Sequence, residues 1–144
     1  MEIALAEARK AAARGEVPVG AVAVAGDGTV MAADGNRTRE WRDPTAHAEI
    51  VVIRAVCAAR GSERIGDVDL YVTLEPCPMC AGAISFARIR RLYYGADDPK
   101  GGGVEHGPRV FHQPTCHHRP EIYGGLAASE AADVLRRFFA DRRD

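Results

Sequence analysis

Residues Asp69 to Arg88 read DLYVTLEPCPMCAGAISFAR, and the order of residue types along this stretch decides the fold. DLYVTL, over 69–74, is rich in β-branched and aromatic side chains and predicts a strand. Glu75-Pro76 breaks it, because proline supplies no N–H to a ladder. Cys77 and Cys80 then open a helix expected over about Pro78 to Arg88, and RLYYG, Arg91 to Gly95, predicts the next strand. Strands alternating with helices argue for an α/β sheet covered by helices on both faces.

Working outward, the N-terminal side keeps this alternation. Met1 to Arg14 carries Ile3, Leu5, Ala8, Ala11 and Ala12 among strong helix formers, and Gly15 stops it. Gly20 to Ala25 and Thr29 to Ala33 flank the turn residues Gly26-Asp27-Gly28, which predicts a hairpin. Asn36 to Pro44 (NRTREWRDP) reads as a loop leading into a helix over about Thr45 to Arg60, with His47 and Glu49 in its first turn. On the other side the pattern lapses after Gly95 until about Pro120, a length of loop that in a small domain usually serves function. Glu121 to Tyr123 predicts a short edge strand, and Ser129 a cap for a last helix, SEAADVLRRFFADRR.

The chain has 144 residues, which fits one domain over 1–144 with a sizeable core. Hydrophobic residues at 47% and charged residues at 27% argue against disorder and fibrous repeats. A net charge of −1 offers nucleic acid no global attraction, although it can hide a basic face. No run of eighteen apolar residues occurs and the first residues carry acidic charge, which argues against a membrane span and a secretory signal. Four cysteines, two of them in Cys-x-x-Cys, suggest metal or redox chemistry in a reducing compartment, so the cytoplasm is expected.

His47, Cys77 and Cys80 offer one imidazole and two thiolates, with Glu49 two residues from the imidazole. A structural zinc site usually has four protein ligands, whereas a catalytic one keeps three and leaves a position for water. Helix starts favour thiolate over thiol, which makes Cys77 and Cys80 better ligands. Zinc lowers the pKa of its water towards neutrality, and Glu49 is placed to take that proton and return it to a leaving group. Attack of this kind on an amidine carbon with loss of ammonia is deamination. Alone, a Cys-x-x-Cys fits redox or structural zinc as readily, and a His-x-Glu arises by coincidence; the two together at helix starts favour a hydrolytic centre.

The two motifs resemble the zinc nucleoside and nucleobase deaminases, whose general signature is His-x-Glu with Pro-Cys-x-x-Cys. The longer strings EVPVGAV (16–22), DPTAHAEI (43–50) and LYVTLEPCPMCAGAI (70–84) are similar to the bacterial tRNA adenosine deaminase family, which makes inosine at the anticodon wobble position. The similarity extends from the first helix to Phe138-Phe139. It implies a three-layer α/β/α sandwich of cytidine deaminase type with a central mixed sheet of about five strands. It also implies one zinc ion per chain on His47, Cys77 and Cys80, and Glu49 as proton shuttle. Asn36 would contact the target nucleotide, the backbone near Ala48 would meet the base, and Asp98 and Lys100 would lie on the loop approaching the RNA. A tRNA anticodon stem-loop and a second copy in a homodimer are the implied partners.

Glu105 to Pro120 (EHGPRVFHQPTCHHRP) departs from that family. Its Cys116, His106, His112, His117 and His118 suggest a second metal, but that needs converging geometry; histidines in such a loop more often pack or meet solvent, and contact with RNA is the better functional reading for them. Arg88, Arg90 and Arg91, with Arg136, Arg137, Arg142 and Arg143, read either as solvated faces or as a phosphate-contacting rim near the active-site opening. Phe138-Phe139 predicts core packing and Cys57 a buried thiol. Beside the wobble adenosine deaminase stand two alternatives: a deaminase of a free nucleobase or nucleoside of cytosine or guanine type, and a catalytically silent, zinc-stabilised RNA-binding protein.

Overall fold

A computed structural model of the chain describes residues 1–142. In order, the elements are α1 (Glu2–Ala13), β1 (Gly20–Ala25), β2 (Val30–Gly35), α2 (Ala48–Arg60), β3 (Val68–Leu74), α3 (Pro78–Ala87), β4 (Arg91–Ala96), a 3-10 turn (Val110–His112), β5 (Glu121–Tyr123) and α4 (Ala128–Asp141). The strands form one sheet in the order β2-β1-β3-β4-β5. β1 runs antiparallel to β2 and β3, whereas β3, β4 and β5 are parallel, so the sheet is mixed. The three parallel strands all point their carboxyl ends to one edge, and the candidate site lies there.

Helices cover both faces. α1 and α4 pack on one side and touch each other; α2 and α3 pack on the other. Val68, Leu70 and Val72 of the central strand are completely buried, and the core joins them to Val52, Val56, Ile84, Ile89 and Leu92. Each such aliphatic burial contributes about 1.5–3 kcal/mol. α1 sits so close to β1 that a Cβ at Gly20 would overlap the carbonyl of Ala4. The glycine of EVPVGAV is therefore a packing requirement. On the parallel half, Tyr71, Tyr93 and Tyr123 stack across β3, β4 and β5, with ring centroids 4.4 Å and 5.0 Å apart. Such cross-strand aromatic pairs fix register.

Several local expectations need correction. Ser129 does not cap α4: the residue before the helix is Ala127, at φ 54°, and no side chain caps it. His47 precedes α2 in extended conformation instead of lying within its first turn. Phe138 is buried but Phe139 is 46% exposed, because adjacent residues on a helix diverge by about 100° and Phe139 is the one turned away from the core. Cys57 is half-buried against the core, and burial pushes its thiol pKa up. No helix among the described residues is long and apolar enough to cross a membrane.

Candidate active site

The chain leaves β2 at Gly35 and β3 at Leu74, both at the edge where β4 also ends. Crevices outside the carboxyl ends of strands are the usual ligand sites of open α/β sheets. Here a cavity of about 390 Å3 is lined by Asn36, His47, Glu49, Glu75, Cys77 and Asp98, together with Val17, Val19 and Thr38. His47 and Cys77 are the residues immediately before α2 and α3, and Cys80 follows in the first turn of α3. Pro78 opens α3, where a missing N–H costs nothing.

The imidazole and the two sulfurs converge. His47 Nδ1 lies 3.6 Å from Cys77 Sγ and 3.6 Å from Cys80 Sγ, and all three ligand atoms fall within 4.8 Å of one another. Ordinary Zn–N and Zn–S bond lengths at a tetrahedral angle put nitrogen and sulfur about 3.6 Å apart, so these donors fit zinc. A hydrogen bond from Cys80 is the main reason that Cys77 drops to about 4, with His47 adding to it. The same bond and burial push Cys80 far up. Only thiolates ligate the ion, so zinc binding would release any thiol proton that remains. His47 is raised by its hydrogen bond to Cys77.

Glu49 is 3% exposed and faces the same cavity. Burial pushes its carboxyl up to about 7, with the negative Cys77 adding to the effect and His47 opposing it. A carboxyl poised near neutrality beside three metal donors and an open cavity can accept and release a proton at working pH.

Residues 1–96 match the family model described as the cytidine and deoxycytidylate deaminase zinc-binding region. The chain is 67% identical over 143 residues to a tRNA-specific adenosine deaminase of Agrobacterium fabrum, a match covering 99% of this chain and 93% of the relative. It belongs to the tRNA-specific adenosine deaminase family of zinc-binding deaminases. A solved structure from a study of A-to-I editing by tRNA:A34 deaminases superposes with a TM-score of 0.92 at 68% identity, covering 94% of this chain and 97% of that one. A guanine deaminase from Bacillus subtilis is more distant, with a TM-score of 0.66 and 30% identity over 99% of this chain and 91% of the other. The family match ends at the close of β4.

Of the residues singled out in the sequence, Asn36, His47, Glu49, Cys77 and Asp98 line the cavity, and Cys80 lies buried beneath it. Asn36 Oδ1 accepts the Ala48 N–H at 2.9 Å, which leaves its Nδ2 as the group offered to a ligand. Ala48 is fully buried and its N–H is thereby taken. Lys100 is exposed and outside the cavity lining. The histidines do not converge: His106 Nδ1 is 2.7 Å from Glu75 Oε1, His118 Nε2 is 2.7 Å from the Ile89 carbonyl, and His112 sits beside Arg109. Cys116 lies against Ser85 and the His118 carbonyl.

No arginine among the described residues lines the cavity. Arg90 pairs with Asp69 through two bonds of 3.0 and 2.8 Å, and Arg91 pairs with Glu121, all at the amino end of β4, opposite the cavity. Arg136 pairs with Asp133, and Arg142 lies over the Phe138 ring. Arg143 lies outside the described residues. Glu75 and Glu16 escaped notice in the sequence. Glu75 stands in the sequence only as part of the Glu75-Pro76 break, although a carboxylate between Leu74 and Pro76 demands a partner.

Proposed function

We propose that the chain is a hydrolytic deaminase that converts the wobble adenosine, A34, of a tRNA anticodon to inosine, with one zinc ion held by His47, Cys77 and Cys80. The observation that carries this reading is the buried Glu49 carboxyl beside three converging metal donors at one cavity. The names of the relatives at 67% and 68% identity support adenosine in tRNA as the substrate. Zinc supplies the Lewis acidity that makes water a nucleophile near neutral pH. Glu49 takes a proton from the attacking water and delivers it to the exocyclic nitrogen. A C–O bond forms at purine C6, the C–N bond breaks, and ammonia leaves. Asn36 Nδ2 donates to the nucleotide, Asp98 approaches it from the loop after β4, and Lys100 lies outside on the RNA side.

A homodimer is part of the proposal. Met79, Gly82, Ala83 and Phe86 form an uncharged stripe along the outer side of α3, with Met79 39% and Phe86 67% exposed. A helix apolar on both sides favours a partner. The cytoplasm, where tRNA is processed, is the proposed location.

The test is inosine formation and ammonia release by zinc-loaded protein on an adenosine-bearing anticodon stem-loop, with free bases and nucleosides run in parallel. Turnover of free bases with none of the stem-loop rejects the proposal and favours the second reading, a free-base deaminase, which the guanine deaminase likeness supports. Tight RNA binding without turnover favours the silent binding protein. Retention of Glu49 at the donor set argues against that outcome.

A further inference from the structure

Glu75 ends the stretch that runs from β3 into the Pro76-Cys77 turn, and its side chain is completely buried. One carboxylate oxygen accepts the Asp98 N–H at 3.1 Å and faces His106 Nδ1 at 2.7 Å. The other accepts the N–H groups of Val104, Glu105 and His106 at 3.1, 3.0 and 3.1 Å. Every donor belongs to the segment after β4. Two carboxylate oxygens offer about four lone-pair sites, so five donors leave none for a metal or a substrate.

The segment is held close as well as bonded. A Cβ at Gly102 would overlap Glu75 Oε2 and lie 2.5 Å from the Asp98 carbonyl; one at Gly103 would lie 2.6 Å from Pro78 N. Gly103 N–H donates to the Pro76 carbonyl at 2.8 Å. The turn that delivers Cys77 to the metal donors therefore clasps, on its other flank, the segment that brings Asp98 to the cavity.

We propose that Glu75 is a positioning residue: its carboxylate sets where segment 97–106, and through it Asp98, stands against the cavity, so substrate binding depends on a side chain spent on four backbone N–H groups and the His106 imidazole. This rests on the functional reading above. A neutral amide at this position would turn an NH2 towards backbone N–H groups and release part of the segment.

The test compares zinc-loaded parent, Glu75→Gln, Gly102→Ala and His106→Asn. Expected for Glu75→Gln are unchanged zinc content, faster hydrogen exchange at the amides of Asp98, Val104, Glu105 and His106, and a KM for the anticodon stem-loop raised about tenfold with kcat less affected. Gly102→Ala attacks the clasp from the opposite side and should give the same signature if Glu75→Gln fails to fold; His106→Asn keeps a side-chain donor near Glu75 and should do less. Because Glu75 acts through Asp98, Asp98→Ala and Glu75→Gln should be non-additive. Unchanged exchange, additivity with Asp98→Ala, or zinc lost in step with activity overturns the proposal. If the parent deaminates a free base instead, the functional reading has failed, and the same exchange and KM comparison on that base still decides the role of Glu75.

Discussion

Asn36 and Ala48 are joined by a 2.9 Å hydrogen bond from the Ala48 N–H to Asn36 Oδ1, so the side chain that faces the cavity also closes the first turn of α2. The Asn36 carbonyl in turn accepts from Arg14 at 2.9 Å. Replacing Asn36 by Ala should therefore cost twice: about 1–3 kcal/mol of stability from the buried Ala48 N–H left unpaired, and weaker substrate binding from the lost Nδ2. Asn36→Asp keeps the acceptor and loses the donor. Denaturant unfolding beside KM separates the two, since Asn36→Asp should retain more stability than Asn36→Ala while losing substrate affinity.

Glu49→Gln keeps the shape of the buried side chain and removes its proton transfer. Turnover should fall by about 10^2–10^4-fold with zinc content equal to the parent. Activity within a few-fold of the parent would mean that another group handles the proton.

Removing zinc should lower the melting temperature as well as abolish turnover, because the ion binds the folded donor set and stabilises it by mass action. Re-addition of zinc should restore both. Cys80→Ser, which replaces the most deeply buried donor, should weaken the metal-dependent rise in melting temperature. Equal rises in parent and variant would remove Cys80 from the donor set.

Glu16 should act as an acid-sensitive fastener. It is 1% exposed, and its oxygens accept the N–H groups of Glu40 and Arg39 and the Thr38 hydroxyl. Burial raises its pKa, but the bonds from Glu40, Arg39 and Thr38 outweigh that and leave it below the ordinary value. A lowered folded pKa contributes stability that is present above the unfolded value and lost as pH falls through the folded one. The stability gap between parent and Glu16→Gln should be full above about pH 5 and shrink below about pH 4. A gap that does not change with pH would show that the carboxylate charge is irrelevant.

Phe86→Glu places a charge on the apolar stripe of α3 and should shift sedimentation from dimer to monomer while leaving the helix contacts beneath it intact. A parent that already sediments as a monomer disposes of the dimer.

The alternation of strand and helix was legible because period and punctuation are local: DLYVTL, the Glu75-Pro76 break and the helix after it appear as expected. His47, Glu49 and Cys77 were legible because their chemistry demands their spacing. What the sequence hid was long-range pairing. Nothing near Arg90 or Arg91 announces that Asp69 and Glu121 neutralise them, since the partners meet only once β3, β4 and β5 align. Two histidines of 105–120 meet partners equally far back in the chain, His106 facing Glu75 and His118 the Ile89 carbonyl. Ser129 looked like a cap by residue type, yet α4 begins at Ala128 from a left-handed Ala127.

The paired arginines at the amino end of β4 have a consequence for how a polyanion lands. With Arg90 and Arg91 each answered by a carboxylate, neither offers a phosphate backbone an uncompensated charge, so neither displaces the counter-ions condensed on that backbone as a free arginine would. These two side chains therefore give a polyanion little electrostatic reason to settle at the end of β4 opposite the cavity.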